Sequence, residues 1–213
     1  MRLYTAFVFF LSYSFATSAT TLDLRVVPTH GIGSCPSAIE VNSTIVNANG
    51  NAIQSTTFRC LIGGLTTRAS MTSQPRKSFN DRSELLRRNA AECKNPAPEC
   101  QCGLQFGCSC SQLTPSAPED GDCLILIDAL QVISQASGPT FTVPSSGVQL
   151  LEFQTCAIEW INLRNTPSEY CWDELGTLVS LTNQECLIPA VSTGAACAPV
   201  DALWILQVFR VGT

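Results

Sequence analysis

Residues 120–143 read DGDCLILIDALQVISQASGPTFTV, and this stretch decides the fold. Its acidic start favours a helix N-terminus, because carboxylates there interact well with the helix dipole. Apolar residues then fill most faces of the following turns, which predicts a largely buried helix. Gly138 and Pro139 end that helix, and residues 140–143 are typical of a short strand.

Two more strands follow in the direction of the C-terminus. Residues 148–155 and 156–163 are rich in strand-forming residues, and period-two alternation places Cys156, Ile158 and Trp160 on one face.

A second helix is predicted after these strands, with Ser168 as its N-cap and an amphipathic pattern that runs to about Glu185. Residues 202–211 form a final strand whose continuous apolarity indicates a central position in the sheet. The order of elements predicts an α+β, disulfide-rich domain in which two helices pack on an antiparallel sheet.

The N-terminus has the layout of a secretory signal peptide: a charged start, a short apolar run and a small-residue exit. Cleavage after Ala16 or after Ala19 suits its small residues, so we assign residues 1–19 to the leader. The apolar run is too short to cross a bilayer, which requires roughly 20 residues. We therefore expect a secreted, extracellular protein without a stable membrane anchor.

All twelve cysteines follow that leader, and their even number in an exported chain predicts a framework of disulfides. The connectivity stays open, with one exclusion. If Cys171 and Cys186 flank one helix, they lie roughly 22 Å apart, whereas a bridge needs Cα atoms within about 7 Å. The predicted disulfide cysteines are Cys35, Cys60, Cys93, Cys100, Cys102, Cys108, Cys110, Cys123, Cys156, Cys171, Cys186 and Cys197.

Charge divides the mature chain. Residues 20–88 contain eight basic and four acidic residues, and residues 89–213 contain three basic and thirteen acidic residues. This asymmetry predicts an N-terminal extension or pro-segment with a basic linker, followed by a cysteine-rich domain. The linker ends at Arg88. This residue is either a site at which a processing protease cuts the chain or part of a solvent-exposed basic turn. After a cut, a disulfide from Cys35 or Cys60 into the second segment would keep the pieces joined.

The N-terminal segment has two strand-like runs, residues 22–26 and 56–62. Between them, Asn42-Ser43-Thr44 is an N-glycosylation sequon, for which we expect a surface loop.

Catalytic patterns are weak in this chain. Its only histidine, His30, has no nucleophile motif beside it. Acidic pairs such as Asp173-Glu174 suit a glycosidase, but acids at helix starts more often serve the helix dipole. We therefore expect no enzymatic activity and no cofactor. We also expect no metal, because the Cys100-x-Cys102 spacing, which is also seen in copper binders, is better explained by disulfides in an exported protein. The acidic domain would repel nucleic acid.

Aromatic residues beside acids are the remaining candidates for a binding site. Tyr170 and Trp172 are predicted to lie on the exposed or boundary side of the second helix, next to Asp173. Sugar rings stack on such aromatic faces while carboxylates accept bonds from their hydroxyls. The alternative for Trp172 is packing against the sheet, since large aromatic residues are mostly buried.

The segment from Arg88 onward resembles a family of small secreted basidiomycete (mushroom) glycan-binding, lectin-like proteins. The resemblance rests on the following pieces: Arg88-Asn89-x-x-x-Cys93, Asp122-Cys123-x-x-Leu126-Ile127-Asp128-Ala129-Leu130, Phe141-Thr142-Val143, Thr155-Cys156, Asn162, Tyr170-Cys171-Trp172, Cys186 and Asp201-x-x-Trp204-x-x-Gln207-Val208. It is similar, more loosely, to fungal killer-toxin and necrosis-effector domains.

The resemblance implies an αβα-like sandwich and partners that are glycans or glycoproteins. It favours a secreted fungal glycan-binding protein with a defensive role. A killer-toxin-like or host-directed effector without enzymatic activity is the alternative, and a carbohydrate hydrolase is a third, weaker one.

Overall fold

The computed structural model describes residue 35, residues 37–61 and residues 90–211. The leader with Ala19, the predicted strand at residues 22–26, His30 and the Arg88 processing site lie outside the described residues. Within the described part, no helix combines the length and the hydropathy needed to cross a membrane.

Most of the described chain forms regular elements. The strands are β1 (Ala38–Ala48), β2 (Asn51–Cys60), β3 (Phe106–Ser111), β4 (Thr140–Val143), β5 (Gly147–Phe153), β6 (Cys156–Asn162), β7 (Ser168–Cys171), β8 (Gly194–Pro199) and β9 (Trp204–Arg210). The helices are α1 (Asp120–Ser137) and α2 (Trp172–Thr182), with a short 3-10 turn at Ala90–Glu92 and a π-helical turn at Asn183–Leu187.

Seven strands form one antiparallel sheet in the order β1-β2-β5-β6-β9-β8-β3. Strand β9 pairs with β6 on one side and with β8 on the other, and all but its last residue are buried. The prediction of a central C-terminal strand is therefore confirmed, as is the α+β fold. Strands β4 and β7 form a separate two-stranded ribbon.

Both described helices pack on the same face of the sheet. The buried side chains of α1 and α2 belong to one hydrophobic core with Cys156, Ile158 and Trp160, which share a face of β6 as predicted. The opposite face has its own buried cluster, which includes Phe58, Val148 and Phe209. Burial on both faces explains the nearly unbroken apolarity of the central strands.

The N-terminal segment supplies two strands of this same sheet. Strands β1 and β2 form a hairpin whose two-residue turn, Asn49-Gly50, has positive φ at both positions, as a turn matched to the twist of the strands requires. Strand β2 then pairs with β5. The charge boundary near Arg88 is therefore not a boundary between two sheets.

The second helix begins later than its sequence pattern indicates. Ser168 is not an N-cap, because residues 168–171 pair with β4 as strand β7 and the helix starts only at Trp172. The Ser168 hydroxyl instead donates to Asn162 Oδ1 at 2.9 Å. Pairing satisfies the backbone groups of β4, and this outweighs the local preference of Ser and Glu for a helix start.

All twelve cysteines form six disulfides, and the predicted framework is confirmed. Cys171 and Cys186 pair with other residues, as their predicted separation required. The suggestion that Cys35 or Cys60 reaches the second segment is wrong, because these two bond to each other and β2–β5 pairing makes the connection instead. The pairs are Cys35–Cys60, Cys93–Cys100, Cys102–Cys171, Cys108–Cys197, Cys110–Cys186 and Cys123–Cys156.

Candidate functional site

A groove of about 400 Å³ lies between the two helices, and we call it the interhelical groove. Helix α1 contributes one wall and the first turns of α2 contribute the other. The lining residues are Ile127, Leu130, Gln131, Ser134 and Gln135 from α1, and Trp172, Asp173, Gly176 and Thr177 from α2.

The spacing of the α1 residues explains their common side. Positions 127, 131, 134 and 135 recur at helical intervals and form one stripe along α1. This stripe lies beside the buried stripe that contacts the sheet, so its residues range from half-buried (Ile127, Ser134) to exposed (Gln131, Gln135).

Gly176 keeps the groove open at its base. A Cβ atom added there would lie 3.8 Å from the Leu130 side chain, which is ordinary van der Waals contact. A methyl group therefore fits, whereas a longer side chain would occupy space that a ligand could use.

Polar groups of complementary types surround this base. The amides of Gln131 and Gln135 supply donors and acceptors, and the carboxylate of Asp173 supplies acceptors. The Thr177 hydroxyl donates to the Asp173 backbone carbonyl at 3.0 Å, which leaves its oxygen lone pairs available to accept.

Trp172 is the aromatic residue of the groove, but it presents little of its surface. Its side chain is 5% exposed, and its ring lies against Phe141 with centroids 4.1 Å apart. The expected exposed position of Trp172 is therefore wrong, because the helix start directs the indole inward onto the β4–β7 ribbon. Trp172 forms part of a wall and offers no ring face for stacking.

Tyr170 does not reach the groove. It lies on β7 with no exposed surface, and its ring packs against Trp160 and Trp204, with both centroid distances 5.1 Å. Burial, with the nearby Glu174 carboxylate, raises the pKa of Tyr170 well above its ordinary value. The prediction that Tyr170 is exposed is wrong, since strand geometry directs it into the core.

The neighbouring acids Asp173 and Glu174 lie in different environments. Asp173 is exposed at the groove. Glu174 is fully buried and accepts the backbone N–H of Gly103 at 2.7 Å. Glu174 therefore holds the loop that precedes β3, while Asp173 faces solvent and any ligand.

A third carboxylate, Glu169, organises the adjacent cysteine-rich loop. It is 1% exposed, and its oxygens accept the backbone N–H groups of Lys94 and Asn95, both at 2.9 Å, and the Thr140 hydroxyl at 2.6 Å. Burial alone would raise the pKa of Glu169, but these hydrogen bonds and the Lys94 charge lower it overall. The sequence pattern does not reveal this role, because an acid beside Ser168 is typical of a helix start, where it interacts with the helix dipole.

The same loop brings three sulfur atoms together. Those of Cys93, Cys100 and Cys102 lie within 4.8 Å of one another. Each belongs to a disulfide, so none is a thiolate that could bind a metal.

Asn42 is exposed, as a glycosylation site requires, but it lies in strand β1 and not in a loop. Asn42 shares a face of β1 with Val46, which packs against the core that contains both helices. Comparison of the chain with protein-family models, with curated proteins and with solved structures gives no match.

Proposed function

We propose that this chain is a secreted fungal glycan-binding, lectin-like protein and that the interhelical groove holds its ligand. The observation that carries this proposal is the lining of the groove, in which amides, hydroxyls and one exposed carboxylate surround an apolar base. The fungal and defensive assignments rest on the family resemblance of residues 88–208.

Sugars match this combination of groups. Each sugar hydroxyl both donates and accepts, and the lining offers acceptors at Asp173 together with amides at Gln131 and Gln135 that do both. The apolar CH face of a sugar would lie against the half-buried Ile127, with the edge of Trp172 closing one side.

Disulfides also hold the walls of the groove in place, which favours the binding of polar ligands whose individual contacts are weak. The Cys102–Cys171 disulfide ends immediately before Trp172, and Cys123–Cys156 joins the first turn of α1 to β6. A site held in place before binding loses less conformational entropy when it orders a ligand.

Secretion is supported by the disulfides, because bridges of this number form in an oxidising compartment. The leader-like residues 1–19 agree with this route of export.

A glycan array probed with the full secreted chain tests the function, followed by calorimetric titration of the best sugar. We expect binding to at least one sugar class and a loss of about tenfold or more in Asp173→Asn, because hydrogen bonds to charged groups contribute about 1.5–3 kcal/mol. Asp128→Asn is the matched control, since Asp128 is an exposed acid of α1 outside the groove lining.

An array without any bound sugar would contradict the proposal, and so would Asp173→Asn binding as tightly as the wild type. If the array is empty and the protein inhibits growth or causes necrosis in target cells, the toxin-like alternative replaces it.

A further inference from the structure

Strand β1 forms one edge of the seven-stranded sheet, and no other described strand pairs with its outer side. It is 11 residues long, and residues 40–45 are all exposed. Two of its large apolar side chains face solvent, Val41 at 54% and Ile45 at 71% exposure.

Beyond Glu40 and the register shift beside it, this edge lacks the usual features that prevent two sheets from pairing. Natural edge strands carry lysine or other charges, proline, or strong bulges. Residues 41–48 contain no charged residue and no proline, and they include the β-branched residues Val41, Thr44, Ile45 and Val46. Such a segment with free backbone groups is a template for pairing with another chain.

The single N-glycosylation sequon of the chain lies in this segment. Asn42 and Thr44 lie opposite Thr57 and Ser55 of β2, on the same face as each other, while the Ser43 hydroxyl lies 3.0 Å from that of Thr56. The register shifts between Glu40 and Asn42, so the strand is irregular where the acceptor residue begins.

We propose that Asn42 carries an N-linked glycan and that this glycan keeps the free edge of β1 from pairing with a second copy of the chain. Asn42 and Ile45 point to opposite faces of the strand, so a hydrated oligosaccharide on Asn42 acts through its bulk, which sterically blocks a strand that approaches this edge. It supplies the protection that charge supplies on other edge strands. The proposal is independent of the interhelical groove.

The modification needs a lipid-linked oligosaccharide diphosphate, the donor class of the eukaryotic secretory route. A bond forms between Asn42 Nδ2 and the anomeric carbon of the sugar, and the bond between that carbon and the diphosphate oxygen breaks. Nδ2 loses one proton, and the lipid diphosphate leaves. Transfer to the chain before β1 pairs with β2 leaves the acceptor fully accessible.

The first experiment is intact-mass analysis of the full chain secreted from yeast, with and without a peptide N-glycosidase. We expect the enzyme to lower the mass of the wild type and of Thr44→Ser, which keeps a sequon. It should leave Asn42→Gln and Thr44→Ala unchanged. An unmodified Asn42 in the secreted wild type would overturn the proposal.

The second experiment measures molar mass by light scattering over a range of concentrations. We expect a monomeric wild type, and concentration-dependent association of Asn42→Gln, of Thr44→Ala and of folded wild type after enzymatic deglycosylation. For this experiment the glycan is removed with an endoglycosidase that leaves one N-acetylglucosamine on Asn42, because a peptide N-glycosidase would convert Asn42 to aspartate and add a charge to the edge. This form shows the effect without any substitution that could disturb folding.

A charged residue on the edge strand should prevent association in place of the glycan. The double variant Asn42→Gln with Ile45→Lys is expected to return to a monomer, because lysine on an edge strand opposes pairing. Deglycosylated protein that stays monomeric at every concentration would overturn the proposed role, and so would association that Ile45→Lys does not reverse.

Discussion

The two edges of the large sheet are built in opposite ways. Strand β3 is 6 residues long and is fixed by two disulfides, Cys108–Cys197 to its neighbour β8 and Cys110–Cys186 to the π-helical turn. Strand β1 is 11 residues long, and the disulfide of its hairpin, Cys35–Cys60, bonds only at the end where β1 begins and β2 ends.

The difference shows two ways of holding an edge strand on a sheet. The sequence of β3, FGCSCS, has few side chains that could hold it by packing, so covalent bonds hold it. Strand β1 pairs with β2 along nearly its whole length, with one register shift between Glu40 and Asn42, and does not need cross-links there. No described strand pairs with its outer side, and we therefore expect association to begin at this edge.

Removing both disulfides of β3 should have the largest effect on stability. Cys110–Cys186 lies within the loop closed by Cys108–Cys197, so removal of either bridge alone leaves the other to close most of that loop, and both must be removed to free the strand. In the chain-entropy model the two bridges together correspond to about 5–6 kcal/mol of unfolding free energy, whereas the separation of 25 residues in Cys35–Cys60 corresponds to about 3–4 kcal/mol. Urea denaturation of the quadruple-alanine variant without the β3 bridges and of the double-alanine variant without Cys35–Cys60 compares the edges. An equal or larger loss on removal of Cys35–Cys60 would contradict the view that β3 depends more on its disulfides.

Loss of the Glu169 carboxylate should have the second largest effect on stability, because this group fixes the loop that precedes β3. Glu169→Gln loses the charge that faces two backbone N–H groups, and we expect a loss of about 2–3 kcal/mol at neutral pH. The pKa of Glu169 is lower in the folded state than in the unfolded state. The stabilisation that the ionised carboxylate gives the fold is therefore fully present above the unfolded-state pKa and is lost as the pH falls through the folded-state pKa.

Denaturation of wild type and Glu169→Gln between pH 7 and pH 3 measures this dependence. The two curves should converge as the pH falls. The control is Glu99→Gln, since Glu99 is exposed. A difference that stays constant with pH would show that the carboxylate charge does not contribute.

Two glycines test how tightly each edge is joined to the rest of the sheet. A Cβ at Gly147, in β5 beside the hairpin, would lie 2.7 Å from the Phe58 backbone oxygen. One at Gly194 in β8 would meet Leu113 at its Cγ (2.8 Å) and its Cβ (2.9 Å), and the half-buried segment after β3 that contains Leu113 would have to shift. We expect Gly147→Ala to cost about 2 kcal/mol, near the middle of the range for overpacking, and Gly194→Ala to cost less. Thermal melting measures both losses of stability. A larger loss for Gly194→Ala than for Gly147→Ala would contradict the view that β5 packs more tightly on the hairpin than β8 packs on Leu113.

Ile45→Lys in the glycosylated protein should have the smallest effect on stability. Ile45 is mostly exposed, so we expect a change within about 0.5 kcal/mol in the free energy of unfolding. A larger loss, measured by urea denaturation, would mean that the outer side of β1 is packed against something and is not a free edge.

Much of the fold could be predicted because burial leaves a pattern in the sequence. Helix α1 and strands β4, β5, β6 and β9 are long or apolar enough to identify, and each lies near its predicted range. Strands β3 and β8 were missed because glycine, alanine, serine and cysteine dominate them, and their pairing depends on disulfides that sequence alone cannot connect. The hairpin did carry a readable signal, since Asn49-Gly50 is typical of a two-residue turn.

The candidate site was harder to predict. Asp173 does line the interhelical groove, but its α1 partners, such as Gln131, lie about forty residues away in the chain and meet it only through packing. Tyr170 and Trp172 were placed near the surface because a helix was assumed where β7 forms. Once residues 168–171 pair with β4, both aromatic side chains are directed inward, and no local pattern reveals that pairing.

Disulfide mapping of the protein isolated from its natural source, by mass spectrometry of non-reduced peptides with a count of free thiols, tests the central claim most directly. The account predicts six intramolecular bridges, including Cys108–Cys197 and Cys110–Cys186 at the β3 edge, and no free thiol. Unmodified thiols at these four positions, or bonds from them to other cysteines, would contradict the disulfide-fixed β3 edge and the disulfide framework as a whole.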